Sequence, residues 1–123
     1  MHEYPVTQNI IEMAARYAAA AAEDSENVTV KKIALVIGET SGIVGESVQL
    51  YFDLIAEGTV CEGAVLEIET VKPMLKCKAC GMLFARKPFS FECECGGEGE
   101  PTEIGREFYV KHIEVERQPC NLT

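Results

Sequence analysis

Four of the chain's six cysteines fall within nineteen residues, as Cys77-Lys78-Ala79-Cys80 and, after twelve intervening positions, Cys93-Glu94-Cys95. Each pair is followed by a glycine, Gly81 or Gly96. Glycine permits the positive φ that turns a short thiolate hairpin, and two such hairpins aim four soft donors at one point, the arrangement of a tetrahedral Zn²⁺ site. Four sulfurs complete the coordination shell and leave no place for an activated water. The site is therefore expected to staple a glycine-rich segment and not to catalyse. A thiol oxidoreductase built on Cys77 and Cys80 would leave the second pair without a role, and no thioredoxin-like βαβ pattern precedes the motif. Cys61 reads as a partly buried small hydrophobe, and Cys120 as a mobile thiol in the tail.

A second set of donors stands at the other end of the chain. With Met1 retained, as expected before a large second residue, the sequence starts with an amine, an amide and the His2 imidazole. The Met1 amine, the His2 amide once deprotonated and His2 Nδ1 would close adjacent five- and six-membered chelate rings in one plane. Strong planar nitrogen donors select Ni²⁺ or Cu²⁺ over tetrahedral Zn²⁺. Taken alone, a histidine at position two is an exposed terminal side chain. His112, in a strand-like stretch, reads as a solvated or hydrogen-bonded side chain.

At 123 residues and 47% apolar composition, the chain suits one ordinary domain, or a small domain carrying a smaller insert. The formal net charge is −9, and four thiolates on one Zn²⁺ make it more negative still. Lys76, Lys78, Arg86 and Lys87 form the only local basic cluster, soon followed by Glu92, Glu94, Glu98, Glu100 and Glu103. Nucleic acid is thus not an expected partner, which counts against a zinc-ribbon adaptor in transcription or translation; a basic partner surface or a cationic cargo fits better. No membrane association is expected either. The longest apolar stretch, residues 14–22, is mostly alanine and interrupted by Arg16, and the N-terminus lacks the basic region of a secretory signal. A cytoplasmic protein is expected, where six cysteines suggest metal ligands before disulfides.

The elements that must position these donors follow from periodicity. Ile10, Met13, Ala14, Tyr17, Ala18 and Ala21 recur at helical offsets, with Pro5 where a first turn tolerates losing an N–H, predicting a helix over residues 5–22. A polar break at 23–27 leads to a β-branched strand over 28–37 ending at Gly38, and 38–42 reads as a loop. Val44, Val48, Tyr51, Phe52 and Ile55 mark a second amphipathic helix stopped by Gly58. Residues 64–71 then alternate as a strand with Leu66 and Ile68 inward. Pro73 closes that strand, the cysteine segment follows to about residue 106, and 108–115 returns to a strand pattern. The order implies a βαβ-containing unit whose last strand comes after an inserted metal module.

Met1-His2-Glu3 before a helix, the Ile37-Gly38-Glu39 strand end, Phe52-Asp53-Leu54-Ile55-Ala56-Glu57-Gly58-Thr59 with Glu62-Gly63-Ala64, and the ordered cysteines together resemble the HypA/HybF family of hydrogenase nickel-incorporation proteins. The match runs from residue 1 to about residue 116. The resemblance implies a nickel metallochaperone and not an enzyme. His2 with the Met1/His2 backbone, helped by Glu3, would hold transported Ni²⁺, while Cys77, Cys80, Cys93 and Cys95 would hold structural Zn²⁺. It implies an α+β fold: a three-stranded sheet with two helices forms the nickel domain, residues 1–72 plus 107–117, which carries a zinc ribbon inserted at 73–106, with 118–123 as a tail. It implies the GTPase HypB and the [NiFe]-hydrogenase large subunit as partners, and leaves self-association open. Some family members place a nickel-site aspartate in the loop after the Gly-Glu strand end. Here that loop reads Thr40-Ser41-Gly42-Ile43-Val44-Gly45, with Glu46 the nearest downstream carboxylate. Cys93-x-Cys95 also replaces the family's usual C-x-x-C.

Overall fold

A computed structural model describes residues 3–22 and 26–119. Among them lie two helices, α1 (Glu3–Ala21) and α2 (Gly45–Ile55), and six strands: β1 (Glu26–Gly38), β2 (Val65–Val71), β3 (Met74–Cys77), β4 (Leu83–Ala85), β5 (Gly99–Pro101) and β6 (Phe108–Pro119). They form two three-stranded sheets, ordered β2-β1-β6 and β4-β3-β5. The α+β class is as expected. The small second sheet, within the cysteine segment, has no counterpart in the sequence pattern. His2 and Cys120 lie outside the described residues.

The backbone divides into two compact units. The first comprises Met1–Leu35, Val44–Ile68 and Val110–Thr123, and it is held by apolar burial. In α1 the buried stripe is Thr7, Ile10, Ile11, Ala14 and Ala18, and the small alanines let α2 pack closely. Met13 and Tyr17, expected on this face, are about half exposed (45% and 49%), so the stripe is narrower and rotated toward Ile11. The helix also begins two residues earlier than expected. Pro5 lies inside the first turn, where N–H groups have no intrahelical acceptor to lose.

Helix α2 buries Val48 and Phe52. Its N-cap, Val44, has an extended backbone and no side-chain cap; the Val44 N–H instead donates to Glu3 Oε2 at 3.0 Å. A carboxylate supplied by α1 thus plays the part that an N3 Glu or Gln plays in a capping box, accepting from the N-cap N–H near the positive end of the α2 dipole. Val44 itself, expected on the apolar face of α2, is exposed because it precedes the first turn. The helix ends with the Ala56 N–H donating to Phe52 O at 2.9 Å, two residues before Gly58 turns the chain at φ +79°. Strand β1 is the middle strand, and because successive side chains point to opposite faces, the burial of Ile33, Ala34 and Leu35 in succession means that both of its faces are covered along this stretch. Lys32 on this strand reaches Glu67 of β2 at 3.4 Å and Glu114 of β6 at 3.6 Å. Leu66 is buried as expected and Ile68 is partly so.

The second unit comprises Val36–Ile43 and Glu69–Tyr109. Strand β3 pairs antiparallel with both neighbours, so that Leu75 stands opposite Phe84 on one side and Pro101 on the other. Apolar burial is sparse here. Between residues 69 and 109, Leu75 and Cys77 are the only buried apolar side chains. Gly38, at the end of β1, lies so close to Gly105 that a Cβ would sit 2.0 Å from the Gly105 carbonyl oxygen. That oxygen accepts from both the Thr40 N–H and the Thr40 hydroxyl, each at 2.8 Å.

Candidate metal centre

Two backbone turns present the cysteines. In the first, the Cys77 N–H donates to Met82 O at 2.9 Å and the Gly81 N–H to Cys77 O at 3.0 Å. In the second, the Cys93 N–H donates to Gly97 O at 2.8 Å and the Gly96 N–H to Cys93 O at 2.9 Å. The two share a hydrogen-bond scheme, with the second one residue shorter. Gly81 and Gly96 stand at φ +76° and +92° as the turns require. Cys93-x-Cys95 is therefore a contracted version of the Cys77-x-x-Cys80 hairpin, and the missing residue is taken out of the turn and not out of the ligand set.

The four Sγ atoms lie within 4.8 Å of one another. Cys77 and Cys95 approach to 3.4 Å and Cys80 and Cys93 to 3.7 Å. A tetrahedron with Zn–S bonds of about 2.3 Å has sulfur–sulfur edges of about 3.8 Å, so the cage has the dimensions of one such ion. Its charge balance points the same way. As thiols, the four compete. The Cys80 N–H, donating to Cys77 Sγ at 3.3 Å, holds Cys77 down to about 6. The Gly97 N–H donates likewise to Cys95 Sγ at 3.4 Å, yet the neighbouring Cys77, Cys80 and Cys93 sulfurs push Cys95 up to about 12. A divalent cation at the centre would remove that conflict by stabilising all four thiolates. The residues thus fit Zn²⁺ in both geometry and donor chemistry.

Gly97, which the sequence offers only as one of several flexible glycines, packs directly against the cage. A Cβ there would lie 2.5 Å from Cys77 Sγ and 2.8 Å from the Ala79 Cβ, so the position admits the first hairpin's sulfur only without a side chain. The second glycine of Cys95-Gly96-Gly97 is the only trace of this in the chain. Glu3 is buried and its carboxylate is engaged with Val44. Cys61 is fully buried, its Sγ facing Ile11 O at 3.9 Å, and burial raises its pKa. His112 pairs with Glu114 at 3.4 Å on an exposed face. In the loop at 39–42 the Ser41 hydroxyl accepts from the Ile43 N–H at 3.1 Å, and Glu46 is exposed in the first turn of α2.

Residues 1–115 match the family described as hydrogenase/urease nickel incorporation, metallochaperone, hypA. The hydrogenase maturation factor HypA of Caldanaerobacter subterraneus subsp. tengcongensis is 44% identical over 118 residues, covering 94% of this chain and all of that protein. The HypA of a Nostoc species is 40% identical over 117 residues, 94% and 96% of the two chains. A solution structure of a HypA protein superposes with a TM-score of 0.64 at 25% identity, over 93% of this chain and 95% of that one. That of the Ni metallochaperone HypA from Helicobacter pylori gives 0.57 at 26% identity, over 93% and 97%.

Proposed function

Because the chain belongs to the HypA family of hydrogenase/urease nickel-incorporation metallochaperones, we propose that it holds its Ni²⁺ cargo at the N-terminus while Cys77, Cys80, Cys93 and Cys95 retain a structural Zn²⁺. The observation that carries this reading is the convergence of the four sulfurs. They saturate one another's ion and offer no exchangeable position, so an ion that must be taken up and released needs other donors. The Met1 amine, the His2 amide and the His2 imidazole are a planar nitrogen set suited to Ni²⁺. Glu3, anchored through Val44, fixes the start of α1 from which those donors extend.

Release follows from the same chemistry. Each nitrogen donor must be deprotonated to bind, so nickel affinity falls as pH falls. In this reading residues 1–72 with 107–117 carry the nickel function, 73–106 the zinc module and 118–123 a tail. The GTPase HypB and the large subunit of [NiFe]-hydrogenase are the proposed partners, and the cytoplasm the proposed location. No helix among the described residues is long and apolar enough to cross a membrane.

The test is calorimetric titration of nickel into the zinc-loaded chain with a free, untagged Met1. His2→Ala is expected to abolish the nickel isotherm and leave zinc content and circular dichroism unchanged. A full-strength isotherm in that variant would remove the N-terminal assignment.

A further inference from the structure

Beside the cysteine cage is a groove of about 750 Å³ whose walls include Met82, Leu83, Phe84, Arg86, Lys87 and Pro88. Met82 and Leu83 are exposed there, which folding alone does not call for. The groove borders β4, an outer strand of its sheet. Since the Cys77 N–H donates to Met82 O, the alternation of an antiparallel ladder directs the backbone groups of Leu83 and Ala85 away from β3. They form an open edge of the kind that accepts an added strand.

Charge indicates what would be added. A second cleft of about 370 Å³, sharing residues 85–88 with the first, is lined by Lys72, Arg86 and Lys87 together with Glu39. Glu94 is the carboxylate lining the first groove. In the second cleft three cations face one carboxylate, whereas in the first Arg86 and Lys87 stand against Glu94 and the thiolate cage, so the positive charge of this face is concentrated at Lys72, Arg86 and Lys87, in a chain whose net charge is −9. Among the described residues neither Lys72 nor Lys87 makes an ion pair, and the Arg86 guanidinium lies 5.1 Å above the Phe91 ring, which holds it in place. The tip that follows gives an independent indication. Phe89 adopts φ +61°, where glycine is favoured, and its ring is fully exposed. An aromatic residue held in water at a backbone cost is unexplained by stability, and such strain gathers at binding sites.

We propose that this face is a docking site for an extended, acidic and apolar segment of a partner protein, which adds as a strand to β4, sets apolar side chains against Met82, Leu83 and Phe89, and places carboxylates at Lys72, Arg86 and Lys87. The site is independent of the nickel assignment, and His2→Ala leaves it intact.

The probe is a blocked heptapeptide alternating valine and glutamate, titrated into the ¹⁵N-labelled, zinc-loaded chain. The Leu83 and Ala85 amides should shift and gain protection from solvent exchange. A peptide alternating valine and lysine should not bind. N-methylating alternate amides of the acidic peptide should abolish binding in one register and spare it in the other, a result that requires no change to the protein. Arg86→Glu combined with Lys87→Glu should weaken binding at least tenfold at unchanged zinc content. Phe89→Gly should weaken it severalfold while leaving the melting temperature equal or higher. The proposal is overturned if the Leu83 and Ala85 amides stay unmoved up to about 1 mM peptide, if the lysine peptide binds equally, or if both N-methylated registers behave alike. A dimer formed through β4 without peptide would put a second copy there instead and overturn it too.

Discussion

The unit built from α1, α2 and most of the β2-β1-β6 sheet removes Ile10, Ala14, Ile33, Leu35, Val48 and Phe52 from water, whereas residues 69–109 bury only Leu75 and Cys77 among their apolar side chains. The first unit follows the usual route, in which helix stripes and a central strand exclude water. The second has short strands of three and four residues and glycine at several turns, too little apolar surface to offset the entropy of ordering them. Its order is assigned to the cage at Cys77, Cys80, Cys93 and Cys95. On the proposed reading, one molecule combines a region that folds by excluding water with one that would fold by holding an ion.

The largest effect should come from taking the ion away. Removing zinc with a chelator should erase amide-exchange protection across residues 74–101 while α1 and α2 stay protected. Structural zinc represents about 10–16 kcal/mol in small zinc modules. Loss of protection in both units, or in neither, would break the contrast. The reciprocal perturbation is Phe52→Ala. Phe52 is 1% exposed, so the variant should lose about 3–5 kcal/mol in denaturant unfolding. Below its midpoint it should still retain its zinc.

The smallest effect concerns the exposed face of the first unit. Glu114 foremost, and Glu67, raise the pKa of Lys32 above its ordinary value of 10.5. A group raised in the folded state contributes fully below its unfolded pKa and loses that contribution as pH rises through the folded one. Lys32→Met should therefore melt slightly below the parent at neutral pH, with the gap closing only above the ordinary lysine range. Thermal melts of both chains across that range check the sign.

The helices, the three strands of the main sheet and the cysteine cage were legible in the sequence because each rests on a local rule: apolar period, a β-branched or alternating run, or thiolate spacing followed by glycine; the pairing of those strands into one sheet came from the family resemblance. Met13 and Tyr17 misled because alanine-rich helices offer two overlapping apolar stripes, and only packing against α2 selects the one through Ile11. The β4-β3-β5 sheet was not legible because its strands are too short to show alternation and are defined by pairing across turns. Gly97 and the Glu3 to Val44 hydrogen bond depend on the approach of segments distant in sequence or on a single missing Cβ. No periodicity encodes either.

The central claim is that two ions occupy two chemically different sites, nitrogen donors for the one that travels and sulfur for the one that stays. X-ray absorption at the nickel edge, on zinc-loaded chain with a free Met1 and one equivalent of added Ni²⁺, tests it most directly. Nitrogen and oxygen neighbours with imidazole scattering and no sulfur shell are predicted. A nickel–sulfur shell accompanied by displaced zinc would contradict the account.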